Sequence, residues 1–280
     1  MQDAFAYCAA LVRAADRDRF LATLFAPAER RGALHALFAF NTEVARVHEV
    51  APQALAGEVR LQWWIDVLAG ERQGEAAANP VAAALLTTLA HYRLAAADLI
   101  DLVEARRFDL YEEPMSSLAD LENYARKTSS RVFALAAEIL SGERMLASTE
   151  PAGIAYGIAV LLRAFPAHAA RRQLYVPVEL LERHQVPLAD VFAGRPSAGL
   201  NAALAELRHI ARRHLAAASE RTSAVPAAAV PALLPIALVR PSLDRLERCV
   251  AFAPAEIPPW RRQWLIWRAA HNPARIAQSG

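Results

Sequence analysis

Lysine is almost absent from this sequence: Lys127 is the only one, and arginine supplies the rest of the 31 basic residues. They are interleaved with 29 acidic residues for a net charge of +2. That leaves no basic face of the kind nucleic-acid binders concentrate, so no nucleic-acid partner is expected. Cysteine is scarce as well. Cys8 and Cys249 stand far apart and form no CxxC pair, which argues against a disulfide scaffold or a cysteine zinc site and for reduced thiols. Glycine is limited to 10 residues, and no alternating apolar pattern marks a strand. Long apolar runs are missing too. The N-terminus carries Asp3, Arg13, Asp16 and Arg17, and the longest uncharged run, Thr222 to Val239, is broken by Pro226, Pro231 and Pro235. Neither a secretory signal nor a spanning helix is expected, and the chain reads as cytoplasmic, with peripheral contact at the inner membrane as the limit.

What is present is helix-forming. Alanine and leucine carry most of the 55% hydrophobic content, and the 280 residues suffice for one domain over 1–280. Pro27, Pro52, Pro80 and Pro151 sit where first helical turns would begin, with Asn79 placed to cap the helix that Pro80 opens. The stripe Leu34, Leu37, Phe38, Val44 and Val47 predicts one helix over 28–50, and Leu61, Trp64, Ile65 and Leu68 predict another over 52–69. Ser117 to Leu140 reads as a single long helix. A further one starts near Pro151, and Pro166 is expected to kink or end it. Helices are also predicted at 95–110, 198–220, 230–250 and 258–270, with surface loops at 70–78 and 112–116.

Four segments in order are distinctive: LFAPAERRGALHALFAFNTEVARVHE (24–49), RLQWWIDVL (60–68), LENYARKTSSRVFALAAEIL (121–140) and YGIAVLLRAFPAHAARRQLYVPVELLERHQV (156–186). From Asp18 to Asp190 the chain resembles the squalene/phytoene synthase family. That resemblance implies an all-α isoprenoid-synthase-like bundle around a central apolar cavity, with two aspartate-rich motifs facing each other. In the family those acids hold magnesium against a prenyl diphosphate, and neutralising the leaving group lets the allylic C–O bond ionise.

The acids are largely missing here. In the first motif Ala45 and Arg46 stand at the paired aspartates and Glu49 at the last one. In the second, a register fixed on Arg163 and Tyr175–Pro177 puts Ala164 and His168 at the aspartate positions. Losing one preorganised charge raises a barrier by about 3–4 kcal/mol, and four of these five positions hold no acid. Phe133 also stands where the family favours a small cavity-lining residue. The same degeneracy, with ENYA at 122–125 and a Trp/Arg-rich C-terminal helix, resembles a subgroup related to a mitochondrial assembly factor of respiratory complex I. A non-catalytic protein partnering complex I subunits or assembly intermediates is the implied function, with no cofactor.

Other readings stay open. A divergent head-to-head prenyltransferase would need magnesium, and a binding module would hold a lipid or isoprenoid without turnover. His48, Glu49 and His168 are candidate transition-metal ligands if they converge. Arg46, Arg163, Arg171 and Arg172 can hold a phosphate directly, or else pair with Glu43, Glu49 and Glu179. Gln62, Tyr124 and Tyr175 are candidate cavity-lining groups. Trp260, Trp264 and Trp267 form a stripe expected to pack into the core, with membrane docking as the alternative.

Overall fold

The computed structural model describes residues 2–51, 53–222 and 225–277, whose regular structure is helical, with no strand among them. α1 (Gln2–Ala15) and α2 (Arg17–Thr23) lead, the second capped by Asp16, whose carboxylate accepts from the Arg19 amide. α3 (Ala28–Ala45) follows Pro27 and buries Leu34, Leu37, Phe38 and Val44. The single helix predicted to reach Val50 is in fact two. At Arg46 (φ −103°, ψ 10°) the amide is shared between the Thr42 and Glu43 carbonyls, the bifurcated pattern of a helix end, and a separate turn α4 (Val47–Val50) begins.

α5 (Ala54–Ala69) starts beyond Pro52, which lies outside the described residues, and ends at Gly70, whose φ of +86° suits a residue without a Cβ. The expected loop after it contains a short helix, α6 (Gln73–Ala78), pinned by Arg72 to Glu75 (3.0 Å) and by the Trp63 indole donating to Glu75 (2.9 Å). α7 (Pro80–Tyr92) opens on Pro80, and Asn79 accepts from the Val81 and Ala82 amides as predicted. α8 (Ala96–Arg106) passes into a 3₁₀ turn, Arg107–Leu110.

The stretch predicted as one helix after Ser117 comprises α9 (Leu118–Ala125), with a Ser117/Asp120 capping box, a π-helical turn Arg126–Ser130, and α10 (Arg131–Ser141). Two prolines behave differently from expectation in α11 (Leu146–Ala170): Pro151 lies inside rather than at the start, and the helix runs through Pro166 to Ala170. Packing along the π turn and a later long helix holds it through the lost hydrogen bonds. At the π turn a Cβ on Gly153 would collide with the Ser130 backbone, so only glycine allows this approach. There follow α12 (Val178–Arg183), α13 (Leu188–Phe192) and α14 (Ala198–Thr222). The region predicted as one helix over 230–250 is α15 (Val230–Leu233), a 3₁₀ turn and α16 (Val239–Arg248). α17 (Pro259–His271) is the last α-helix.

Buried apolar side chains gather in two clusters, one built on α1, α3, α5, α7 and α8, the other on α9, α11, α14 and α17. α10 lies between them, giving Val132, Leu135 and Ile139 to the first and Phe133 to the second. Two helical segments, Leu146–Ala170 and Ala227–Arg248, are long and apolar enough to cross a membrane, but 56% and 72% of their apolar windows are buried within the protein, as core helices would be. Cys8 and Cys249 are free thiols.

The tryptophan stripe corrects the core-packing expectation. α17 buries Leu265, Ile266 and Ala269 instead, and all three tryptophans are exposed.

Candidate functional site

Between the α3–α4 segment and α11, a cavity of ≈ 580 Å³ opens. One wall is the end of α3 with α4, bringing Ala45, Arg46, His48 and Glu49; opposite stand Arg163, Ala164 and His168 of α11 with Arg171 and Tyr175 beyond it. The two degenerate motifs therefore share one cavity. Other predicted residues lie elsewhere. Gln62 is exposed on α5, donating to Asp66 (2.7 Å) and accepting from Arg107 (2.9 Å), and is not a cavity residue. Phe133 is fully buried behind the wall, edge-on to the cavity-lining Tyr156 at 5.1 Å.

At the rim, Glu49 is engaged from both motifs. Arg46 donates to it at 2.8 Å from its own side and Arg171 reaches across at 3.6 Å. The Arg46 hydrogen bond, with Arg171 adding to it, holds the Glu49 carboxyl below its ordinary value. Of the other pairings weighed from sequence, Arg172 bonds Glu112 (3.0 Å), Glu179 accepts from the Leu118 amide (2.8 Å), and Glu43 has Arg60 as its cationic neighbour. Arg163 has no salt bridge among the described residues.

The floor centres on an acid that sequence reasoning passes over. Asp109, in the 3₁₀ turn after α8, accepts from the Tyr124 hydroxyl (2.7 Å), the Tyr175 hydroxyl (2.6 Å) and the Arg106 guanidinium (3.1 Å), while Gln173 donates to its backbone carbonyl. Tyr124 thus lies beneath the cavity, bound also by Arg106 at 2.7 Å. Burial pushes both tyrosine hydroxyls well above their usual range, so they stay protonated as donors. His168 rests on the Tyr175 ring at 4.7 Å, and burial, aided by Arg171 and Arg106 and opposed by Asp109, brings its imidazole down to about 4.

The donor set does not fit magnesium. Of the five acids lining the cavity among the described residues, Asp16 bonds Arg19, Asp18 bonds Arg262, Glu49 bonds two arginines and Asp109 bonds Arg106, while Glu256 is exposed with Arg262 as its charged neighbour. Four of the five thus have a guanidinium beside the carboxylate, and a neighbouring positive charge repels a cation. His48, Glu49 and His168 line the same space, yet among the described residues no three His, Cys, Asp or Glu side chains converge as metal ligands do. What the cavity does offer is polar atoms without partners: Arg19 Nε, Arg106 Nε, Asn41 Oδ1, His48 Nδ1 and His168 Nδ1 are buried and unbonded.

Comparison with known proteins places this arrangement. The squalene/phytoene synthase family model matches residues 12–268. The rat complex I assembly factor 6 is 29% identical over 248 residues, covering 88% of this chain and 74% of the relative. A 15-cis-phytoene synthase from Synechococcus elongatus is 24% identical over 208 residues, covering 69% of this chain and 67% of that enzyme. The crystal structure of a dehydrosqualene synthase in complex with ligand superposes with a TM-score of 0.84 over 96% of both chains at 17% identity, a likeness of fold alone. All-helical, with two facing motifs around one cavity and a profile match over nearly its whole length, the chain belongs to the squalene/phytoene synthase family.

Proposed function

We propose that this chain is a non-catalytic member of its family that acts in the assembly of respiratory complex I, binding subunits or assembly intermediates. One observation carries the loss of catalysis: Glu49, the acid left in the two motifs, is already bonded to Arg46 and Arg171 where a cation would have to sit. The similarity to the rat assembly factor, at higher identity and coverage than the phytoene synthase, supports the assembly role. A head-to-head prenyltransferase would need magnesium ligands that the cavity's arginine-bound acids do not supply. Two measurements test the proposal. Purified protein incubated with farnesyl or geranylgeranyl diphosphate and magnesium yields no product, and a deletion strain loses assembled complex I. Turnover in the first, or a normal complex in the second, overturns it.

A second reading has its own support. The unbonded Arg19 and Arg106 Nε–H donors around a ≈ 580 Å³ space suit a ligand with an acidic or phosphorylated head, held by guanidinium groups without a metal, and Asn41 Oδ1 is left to accept from a hydroxyl of the same ligand. Native mass spectrometry of freshly purified protein separates the two readings: a co-purifying lipid or isoprenoid supports a binding module, and a bare chain supports assembly through the outer surface alone.

A further inference from the structure

Three features of the C-terminal region come together on one surface away from the cavity's motifs. On α17, Trp260, Trp264 and Trp267 are 69%, 47% and 52% exposed. Their spacing of four and three residues sets them on one side of the helix, with His271 continuing the line. Leu265, Ile266 and Ala269, which dock the helix, lie about 180° away at 100° per residue. The exposed stripe is therefore separate from the packing stripe. Ring contacts extend it: Trp267 meets His271 at 4.4 Å, and His271 meets the exposed Phe25 at 6.3 Å.

The second feature is charge. From Ile257 to Gly280 the sequence contains no acidic residue and four arginines: Arg261, Arg262, Arg268 and Arg275. Arg262 is committed to Asp18 (2.9 Å), whereas Arg268 lies over the Trp264 ring at 4.5 Å. The third is a groove of ≈ 490 Å³ between α16 and α17, bordered by Arg245, Arg248, Arg261, Arg268 and Trp264. Its one acid, Asp244, is already bonded to Arg212 at 2.9 Å. Arg245, Arg248 and Arg261 are exposed and have no salt bridge among the described residues.

We propose that this face docks the protein on an anionic phospholipid bilayer, with the tryptophans at the headgroup boundary and the groove arginines on lipid phosphates. Indole rings have an apolar body and a polar tip, which suits the zone between hydrocarbon and water. Unpaired arginines beside them gain from the negative potential of a lipid surface, whereas a protein partner would have to supply carboxylates at matching positions. Its 13 residues make α17 about 20 Å long, too short to span a bilayer, so it lies in the plane of the surface. The inference uses neither the cavity nor its chemistry, and it stands or falls apart from the proposed function.

Flotation of the full chain tests it, with vesicles of phosphatidylcholine alone and of phosphatidylcholine mixed with phosphatidylglycerol. The protein floats with the mixed vesicles, stays at the bottom with the neutral ones, and is released by high salt. Replacing Arg245, Arg248 and Arg261 together by glutamine weakens binding about a hundredfold, at about fivefold for each arginine. The triple variant Trp260→Ala, Trp264→Ala, Trp267→Ala weakens it about tenfold or more. All six side chains are exposed, so circular dichroism and the thermal midpoint stay those of the parent. Protein that remains at the bottom with anionic vesicles overturns the proposal, as does flotation that survives both sets of substitutions.

Discussion

The rim and the floor of the cavity both join a carboxylate to arginine, yet they differ in what surrounds the pair. Glu49 at the rim is 42% exposed and meets two guanidinium groups that are themselves about half in water. Asp109 at the floor is buried, and three side chains converge on it. Exposed pairs are screened and contribute about 0–1 kcal/mol, whereas removing one partner of a buried pair leaves an uncompensated charge and costs several times more. The floor therefore fixes the shape of the cavity while the rim can vary at little cost in stability. The rim accordingly accepts Ala45 and Arg46 beside Glu49 with the bundle intact.

Breaking the floor gives the largest effect. Asp109→Ala strands the Arg106 charge and two tyrosine hydroxyls, and urea denaturation is expected to show a loss of about 3–5 kcal/mol. A loss under about 1 kcal/mol would remove the distinction between floor and rim. Next comes pH. Burial holds His168 at about 4, against 6.5 for the ordinary imidazole. Above pH 6.5 both folded and unfolded chains have it neutral, and nothing changes. As the pH falls from 6.5 towards 4 only the unfolded chain takes up the proton, so stability drops by about 3 kcal/mol across that window. His168→Asn flattens this part of the stability profile, and an unchanged slope would show that the histidine is not held neutral by its burial. The smallest effect belongs to the rim: Glu49→Ala is expected to shift stability by about 1 kcal/mol or less, in a salt-dependent way. A salt-insensitive loss comparable to that of Asp109→Ala would show the rim to be structural after all.

Spacing made the facing motifs legible, because residues on one helix keep their register whatever their chemistry, and Ala45, Glu49, Ala164 and His168 do meet around one cavity. Asp109 escaped because it sits in a 3₁₀ turn, where helical periodicity gives no direction, and its partners lie 15 and 66 residues away. The π turn was hidden for a related reason. The stripe from Leu121 to Ile139 continues across it, and what accompanies the extra residue is the close approach of Gly153 to Ser130, a tertiary contact. Pro166 misled because local propensity was overruled by packing along α14. On α17 two apolar stripes compete, and periodicity shows that each exists without showing which one faces the core.

The break at Arg46 has a consequence for any attempt to build a magnesium-binding acid cluster here by mutation. Aspartates returned to positions 45 and 46 would sit at the end of one helical segment while residue 49 rides on the next, so the three oxygens would no longer lie one turn apart along a common axis. Side-chain replacement alone therefore leaves the oxygens out of register, and gathering them around one ion requires rebuilding the turn at Arg46 as well.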